Sequence, residues 1–348
     1  MSEFDLIRAH FARLGAGRGD VVLGVGDDCA LLRVPAGQEL AVSIDTLVAG
    51  VHFLPEVDPE ALGHKCLAVG LSDLAAMGAE PAWATLALTL PKEDSAWLAA
   101  FAAGFAGLAR DHGVALVGGD TTRGPLSISV QVHGLVPAGL AIRRAGARPG
   151  DLVCVSGTLG DAGLALRDLL AGLEVEPGLR DRLERPTPRV ALGLALRGLA
   201  TAMIDISDGL AADLGHILEE SGAAVAPGER RGGDASSPGY CIEEGGAATP
   251  NLGAEIQLAA LPLSPAVSTR LARAPDWSLP LASGDDYELC FTLPPARAGE
   301  LPALADRLGL ALTPIGRILP APGLFCLGPD GSRWTPERMG YNHFPDAG

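Results

Sequence analysis

Five short acidic motifs punctuate the chain: Gly26-Asp27-Asp28, Asp45-Thr46, Ser72-Asp73-Leu74, Gly118-Gly119-Asp120-Thr121 and Asp205-Ile206-Ser207-Asp208-Gly209. Each stands where an apolar run ends or inside a run that is otherwise apolar, so the carboxylates are expected to gather in one place. Gathered carboxylates need cations. Oxygen-only ligands of this kind suit Mg²⁺, which keeps several waters and bridges one or two carboxylates to substrate phosphates. The chemistry they imply is metal-dependent phosphoryl transfer.

Each motif also has a structural alternative. Asp27 and Asp28 follow the apolar run Val21 to Val25 through Gly26, where they fit a metal site or an ordinary turn or helix cap. Asp45, flanked by Ser43 and Thr46 at the end of the run Leu40 to Ile44, reads equally as ligand or cap. Asp73 is more pointed, because its helix-like surroundings Cys66 to Met77 are nearly all apolar. An ionised carboxylate there must be metal-bound, or paired with Lys65 or an arginine. In Leu116 to Thr122 a strand runs into Gly118, Gly119 and Asp120, glycines whose N–H groups can cradle phosphate beside an acid that holds a metal. Asp205 lies inside an apolar strand, and Ser207 and Asp208 stand at the join to a helix whose N-terminus favours anions.

Missing patterns narrow the chemistry further. No Gly-x-x-x-x-Gly-Lys-[Ser/Thr] loop occurs, and the two lysines, Lys65 and Lys92, lie outside glycine loops, which excludes a Walker-type site. Phosphate charge must then be met by metal ions and by arginines such as Arg123, Arg143, Arg144 and Arg148, any of which also suits a solvated surface. The histidines lack metal-ligand spacing, which argues against zinc. His52, just after Asp45, is either structural or part of a substrate site.

Elements must position these groups. The 348 residues carry a formal charge of −16, and this length points to two domains. The acid excess, with no basic block to offset it, argues against nucleic acid or an anionic membrane as partner. Scattered cysteines with mostly apolar neighbours read as buried reduced thiols, and the N-terminus lacks a signal-peptide core, so a cytoplasmic location is expected. Strands are expected at Val21 to Val25, Leu40 to Ile44, Ala82 to Leu90, Val114 to Val117 and Leu126 to Val136. Helices are expected at Pro59 to Met77, at Asp94 to His112, and at the N-terminus through Phe4, Ile7, Phe11 and Leu14. After a link from Pro137 to Gly150, a second series follows: strands at Asp151 to Ser156, Ala202 to Ile206, Glu255 to Ala260, Tyr287 to Leu293, Leu312 to Ile318 and Leu324 to Leu327, with helices between. The expectation is a mixed α/β (α+β) pattern in two units, 1–140 and 141–348. Residues 227–253 read as a flexible insertion containing Cys241.

Taken in order, the motifs closely resemble the thiamine-monophosphate kinase family. The matching segments are Gly24-Val25-Gly26-Asp27-Asp28-Cys29-Ala30, Asp45-Thr46-Leu47-Val48-Ala49-Gly50-Val51-His52-Phe53 and Leu71-Ser72-Asp73-Leu74-Ala75-Ala76-Met77-Gly78. They continue with Gly118-Gly119-Asp120-Thr121-Thr122, Ile204-Asp205-Ile206-Ser207-Asp208-Gly209-Leu210, Gly284-Asp285-Asp286-Tyr287-Glu288-Leu289 and Gly340-Tyr341-Asn342-His343-Phe344.

The resemblance implies a two-domain aminoimidazole-ribonucleotide synthetase-like fold. Its N-terminal α/β unit binds ATP and metal and joins its partner's sheet in a homodimer; a C-terminal α/β domain follows. It implies ATP-dependent, Mg²⁺-dependent phosphorylation of thiamine monophosphate to thiamine diphosphate, the last step in making that cofactor. By motif match Asp28, Ser43, Asp45, Asp73, Asp120, Asp205 and Asp208 become ligands of several Mg²⁺ ions, the aspartates Asp28, Asp45, Asp73, Asp120 and Asp208 also forming the catalytic set. Gly119, Asp120, Arg144 and Ser207 become ATP contacts, and His52, Asp285 and Tyr341 line the thiamine-phosphate site. Two positions depart from the pattern: Ile44 stands where threonine is common, and Asp285 replaces a common glutamate. The alternatives are another ATP-dependent enzyme of the superfamily, a non-catalytic sensor of magnesium nucleotide, and a metal-dependent phosphatase.

Overall fold

The computed structural model describes residues 7, 9–12, 14–224, 252–328, 330–335 and 339–341. Part of the first expected helix, nearly all of the 227–253 segment with Cys241, and His343 and Phe344 lie outside the described residues.

The first half builds one four-stranded sheet with two helices on one face. After the short pair β1 (Val21–Leu23) and β2 (Leu31–Leu32) come β3 (Gln38–Val48), α1 (Pro59–Ala76), β4 (Glu80–Leu90), α2 (Ser95–Asp111), β5 (Ala115–Arg123) and β6 (Ser127–Pro137). The strand order is β3-β6-β4-β5, which leaves β3 and β5 as edges. Both helices start where the sequence offers a cap: Asp58 accepts a 3.0 Å bond from the Ala61 N–H, with Pro59 following, and Asp94 does the same for Trp97. They cross closely because Gly63 and Gly104 carry no side chain. A Cβ at Gly104 would lie 1.8 Å from the Glu60 carbonyl oxygen.

The second half contributes β7 (Leu152–Ser156), α3 (Asp161–Leu170), α4 (Pro177–Glu184), α5 (Val190–Ala195), β8 (Ala202–Asp205), α6 (Leu210–Ala224) and β9 (Gly253–Gln257). It ends with α7 (Pro265–Arg273), α8 (Ser278–Ala282), β10 (Leu289–Leu293), α9 (Leu301–Leu308), β11 (Leu312–Leu319), β12 (Gly323–Leu327) and β13 (Arg333–Trp334). Its seven strands form a mixed sheet in the order β13-β12-β9-β11-β7-β10-β8, with β8 at one edge.

The two sheets share a core. Leu71, Leu74 and Ala75 of α1 belong to one buried cluster with Val190, Leu192, Leu196, Met203 and Phe291 from the second half. The helix α1 therefore packs between the edge strands β3 and β8 and brings the ends of both sheets together. No described helix is long and apolar enough to cross a membrane.

Candidate active site

The site is assembled at that junction. Along β3 the side chains alternate: Leu40, Val42 and Ile44 face outward and are exposed, whereas Ala41, Ser43 and Asp45 turn toward α1. Ser43 donates a hydrogen bond to Asp73 of α1. Asp205, 4% exposed, closes β8 beside them. Asp45, Asp73 and Asp205 thus arrive from two sheet edges and one helix; the charge of Asp73 acts on Asp45, and those of Asp73 and Asp45 act on Asp205. Burial first, and the Asp73 carboxylate second, push Asp45 up to about 7. Burial also raises Asp73, opposed by the Ser43 hydroxyl and the Arg144 guanidinium. Asp205 is raised well above the carboxylate range by burial and then by Asp73.

The protein offsets this repulsion only in part, through Ser43 and Arg144 at Asp73 and Ser72 at Asp205. Lys65, a possible partner for Asp73 on sequence grounds, instead binds Asp285. Asp45 Oδ2 is buried and has no hydrogen-bond partner among the described residues. A set of oxygen donors with one orphaned buried acceptor fits a hard divalent cation. Among the described residues no three His, Cys, Asp or Glu side chains stand close enough to enclose an ion on their own. Ile44 is 61% exposed on the opposite side of the strand, so only its backbone can face the acids.

A second group forms around a cavity of about 510 Å³. Asp27, Asp28 and Cys29 line it from the loop after β1, and Gly118, Gly119 and Asp120 from β5. Asp45, Asp73 and Asp205 are not among its lining residues. Gly119 has a structural reason of its own: a Cβ there would sit 1.9 Å from the Leu86 carbonyl oxygen. Arg144 stands on the exposed link between the sheets, near enough for its charge to act on Asp73. Arg143 and Arg148 on the same link use their backbone to bind Met203 and Asp151. Cys29 is exposed, while Cys66, Cys154, Cys290 and Cys326 are buried.

The third group is a smaller pocket of about 70 Å³, lined by His52, Phe53, Val57, Lys65, Leu183, Glu184 and Asp285 among others. His52 Nδ1 accepts from the Val48 N–H at 3.0 Å. Lys65, only 3% exposed, places its ammonium 3.1 Å from Asp285 Oδ2, and the Tyr287 hydroxyl donates to Asp285 Oδ1 at 2.9 Å. Asp285 and Tyr287 both hold left-handed backbone, φ 60° and 48°, unusual for residues with a Cβ. Their N–H groups bond Ser207 O and Ile206 O, so the strained turn is locked to the Ser207 segment. Tyr287, buried near Asp205 and Asp45 as well, links this pocket to the acid cluster. Tyr341 is not among the residues lining this pocket; its N–H instead bonds the Asp208 carbonyl oxygen at 3.1 Å.

Comparison with known proteins now decides the family. Residues 26–136 match the family model described as AIR synthase related protein, N-terminal domain. A relative from Escherichia coli (strain K12), named thiamine-monophosphate kinase, is 45% identical over 347 residues, 98% of each chain. The chain belongs to the thiamine-monophosphate kinase family. Among solved structures, the thiamine-monophosphate kinase from Stenotrophomonas maltophilia K279a aligns with a TM-score of 0.79 at 45% identity, covering 95% of this chain and 96% of that one. A structure described as AaThiL complexed with AMPPCP and TMP aligns with a TM-score of 0.71 at 30% identity, covering 89% of each chain. This α/β architecture is thus the thiamine-monophosphate kinase fold.

Several residues of the site escaped sequence reading. Lys65 acts on Asp285 from 220 residues away, whereas Tyr287 and Asp213 act on near neighbours in the chain, Asp285 and the Ser207 to Gly209 segment. Lys65 offered a signal, being one of two lysines in the chain and lying in an apolar helix. Asp213, 2% exposed, accepts hydrogen bonds from the N–H groups of Ser207, Asp208 and Gly209 at 3.1, 3.2 and 3.0 Å. The helix end read as a place for substrate anions therefore holds a carboxylate of the chain itself.

Proposed function

We propose that this protein transfers the γ-phosphoryl group of ATP to thiamine monophosphate, giving thiamine diphosphate and ADP, with Mg²⁺ required. The observation that carries this reading is the convergence of Ser43, Asp45, Asp73 and Asp205 from two sheet edges and one helix, with Asp45 Oδ2 buried and without a hydrogen-bond partner among the described residues. Residues 1–140 serve as the nucleotide, metal and dimerisation unit, and 141–348 as the second α/β unit. The acids Asp28, Asp45, Asp73, Asp120, Asp205 and Asp208, with Ser43, would hold Mg²⁺. Gly119, Asp120, Arg144 and Ser207 serve ATP, and His52, Asp285 and Tyr341 serve thiamine phosphate.

The chemistry asks little of the protein beyond placement. A phosphate monoester has a second pKa of about 6, so at neutral pH the attacking oxygen is already ionised and no general base is needed. Bound Mg²⁺ supplies charge neutralisation between donor and acceptor phosphates. The chain's own groups hold the two anions in line and keep them from drifting apart. The apolar walls of the small pocket, with Asp285 fixed by Lys65 and Tyr287, suit a flat cationic heteroaromatic ring. A homodimer is supported by β3: an edge strand bearing exposed Leu40, Val42 and Ile44 is unusual on a free surface.

The test is to incubate the purified protein with ATP, Mg²⁺ and thiamine monophosphate and follow thiamine diphosphate and ADP by chromatography. Equal, chelator-sensitive formation of both is expected. Nucleotide binding without ADP would mark a sensor, and phosphate release without ATP a phosphatase.

A further inference from the structure

We propose that Asp213 is a positioning residue of the active site, its carboxyl group filling a nest made by the backbone N–H groups of Ser207, Asp208 and Gly209. The inference rests on the reading that Ser207 and Asp208 serve metal and nucleotide. It adds what holds them and what is kept out.

The segment linking β8 to α6 must turn sharply. Gly209 adopts φ +121°, and a Cβ there would meet the backbone of Ala282 at 2.7 Å. Three successive N–H groups then point to one side, the arrangement that elsewhere binds phosphate or carboxylate. Here a single oxygen, Asp213 Oδ2, takes all three. Asp213 lies one helical turn onward in α6, in the first turn of the helix, so its carboxylate folds back over the helix start. The opposite side of the segment is fixed too. Ser207 O accepts from the Asp285 N–H at 2.8 Å, and Asp208 O from the Tyr341 N–H at 3.1 Å. The segment is therefore clamped through its donors by Asp213 and through its acceptors by Asp285 and Tyr341.

Two consequences follow. The side chains of Ser207 and Asp208 are presented at a fixed angle whether or not ligands are present, so the loop does not have to be ordered by metal or nucleotide. The three N–H groups are withheld from substrate phosphate, so ATP must be held at this point by the Ser207 hydroxyl and by Asp208 through a cation. A helix start with an empty nest would attract a bare phosphate and compete with that arrangement.

Substitution separates this from a merely structural role. In Asp213→Ala the nest is empty, and the N–H groups are free to take a small anion from solvent. The variant is expected to melt below the wild type, to lose most of the melting shift given by Mg²⁺ with ADP, and to transfer phosphate about 10²-fold more slowly, the usual cost of misplacing a group by roughly 1 Å. Sodium formate, against a chloride control of equal ionic strength, should raise its melting temperature, its nucleotide-induced shift and its rate together, while leaving the wild type unchanged. Asp213→Asn, which keeps the shape and an acceptor oxygen but loses the charge, is expected to fold and to fall between the two.

Wild-type nucleotide binding and turnover in Asp213→Asn, or failure of formate to act on a folded Asp213→Ala, overturns the proposal. Asp208→Asn is the control for the underlying reading. Loss of turnover there with unaffected Asp213 variants removes the nest alone; full activity of Asp208→Asn removes the reading of this segment as part of the site.

Discussion

The acids of the site repel one another, and that repulsion gives their roles a measurable sign. Asp45 stands at about 7 against an ordinary value of about 3.8, so between those values the native chain keeps a proton that the unfolded chain has released. Its ionisation therefore costs native stability as pH rises through that window. A cation offsets the cost only when the carboxylate is charged. Mg²⁺ affinity should accordingly rise as pH passes from 6 to 8 and binding should release protons, seen as a buffer-dependent heat in titration calorimetry; pH-independent affinity would exclude Asp45 as a ligand. Asp73→Asn should lower the transfer rate by ~10³-fold or more, given the size of single electrostatic contributions in such sites, with an unchanged circular dichroism spectrum. Near-normal activity would take Asp73 out of the metal site. Lys65 is different in kind, because its ammonium is buried whereas Asp285 is partly exposed, 28%. Asp285→Asn strands that charge and should destabilise by up to about 3 kcal/mol, the lower end for a broken buried pair. Adding Lys65→Met should recover stability but not the Michaelis constant for thiamine monophosphate. Carboxylates such as Asp45, Asp73 and Asp205 were legible in the sequence because an acid in an apolar run demands a partner. Lys65, Tyr287 and Asp213 were not, since each acquires its role from contacts the sequence does not list, 220 residues apart for Lys65 and Asp285.

At the scale of elements, alternation and capping made most of the pattern readable. The helix expected from Pro59 to Met77 spans Pro59–Ala76, and the strand expected from Leu126 to Val136 spans Ser127–Pro137. The strand at Leu40 to Ile44 is longer than expected, Gln38–Val48, because Gln38 to Val48 pairs residue for residue with β6, and pairing carries polar residues that propensity alone would end on. The run Val114 to Val117 likewise continues to Arg123 through its parallel ladder with β4. The glycines were read for phosphate, yet several are needed for contact between elements. Gly70 of α1 would place a Cβ 2.9 Å from Val132 and 3.6 Å from Asp45 Oδ2. Gly70→Ala should shift the helix that carries Asp73 against the strand that carries Asp45, costing about 1–3 kcal/mol as overpacking does and reducing turnover more than the fall in melting temperature explains. Strand β3 makes a second prediction. Its outward row of Leu40, Val42 and Ile44 should sit in the dimer, so Val42→Lys with Ile44→Lys should yield a monomer by sedimentation; an unchanged dimer would place the interface elsewhere.

Two sheets would ordinarily suggest two domains free to move against each other. In this molecule α1 denies them that independence. Its buried face joins Val132 and Leu86 of the first sheet to Met203 and Phe291 of the second in one apolar cluster, and the same helix contributes Asp73 to the acid cluster. A division of the chain near residue 140 therefore separates sheets without separating cores, which alternation and linker composition could not reveal, because neither reports what packs across a boundary. The arrangement has a functional logic: carboxylates contributed by both halves keep their spacing only if the halves do not hinge. It also fixes how the protein should unfold. Trp83 and Trp97 report on the first half, Trp277 and Trp334 on the second, so replacing either pair with phenylalanine makes fluorescence report on one half at a time. If the shared core governs stability, both versions should give urea transitions with the same midpoint as each version's far-ultraviolet circular dichroism, as a cooperative unit requires. Mg²⁺ with ADP should move both midpoints together. Separate midpoints, with the nucleotide shifting only one, would show that the halves fold apart and that the carboxylates of Asp45 and Asp205 are brought together by ligand and not by the core.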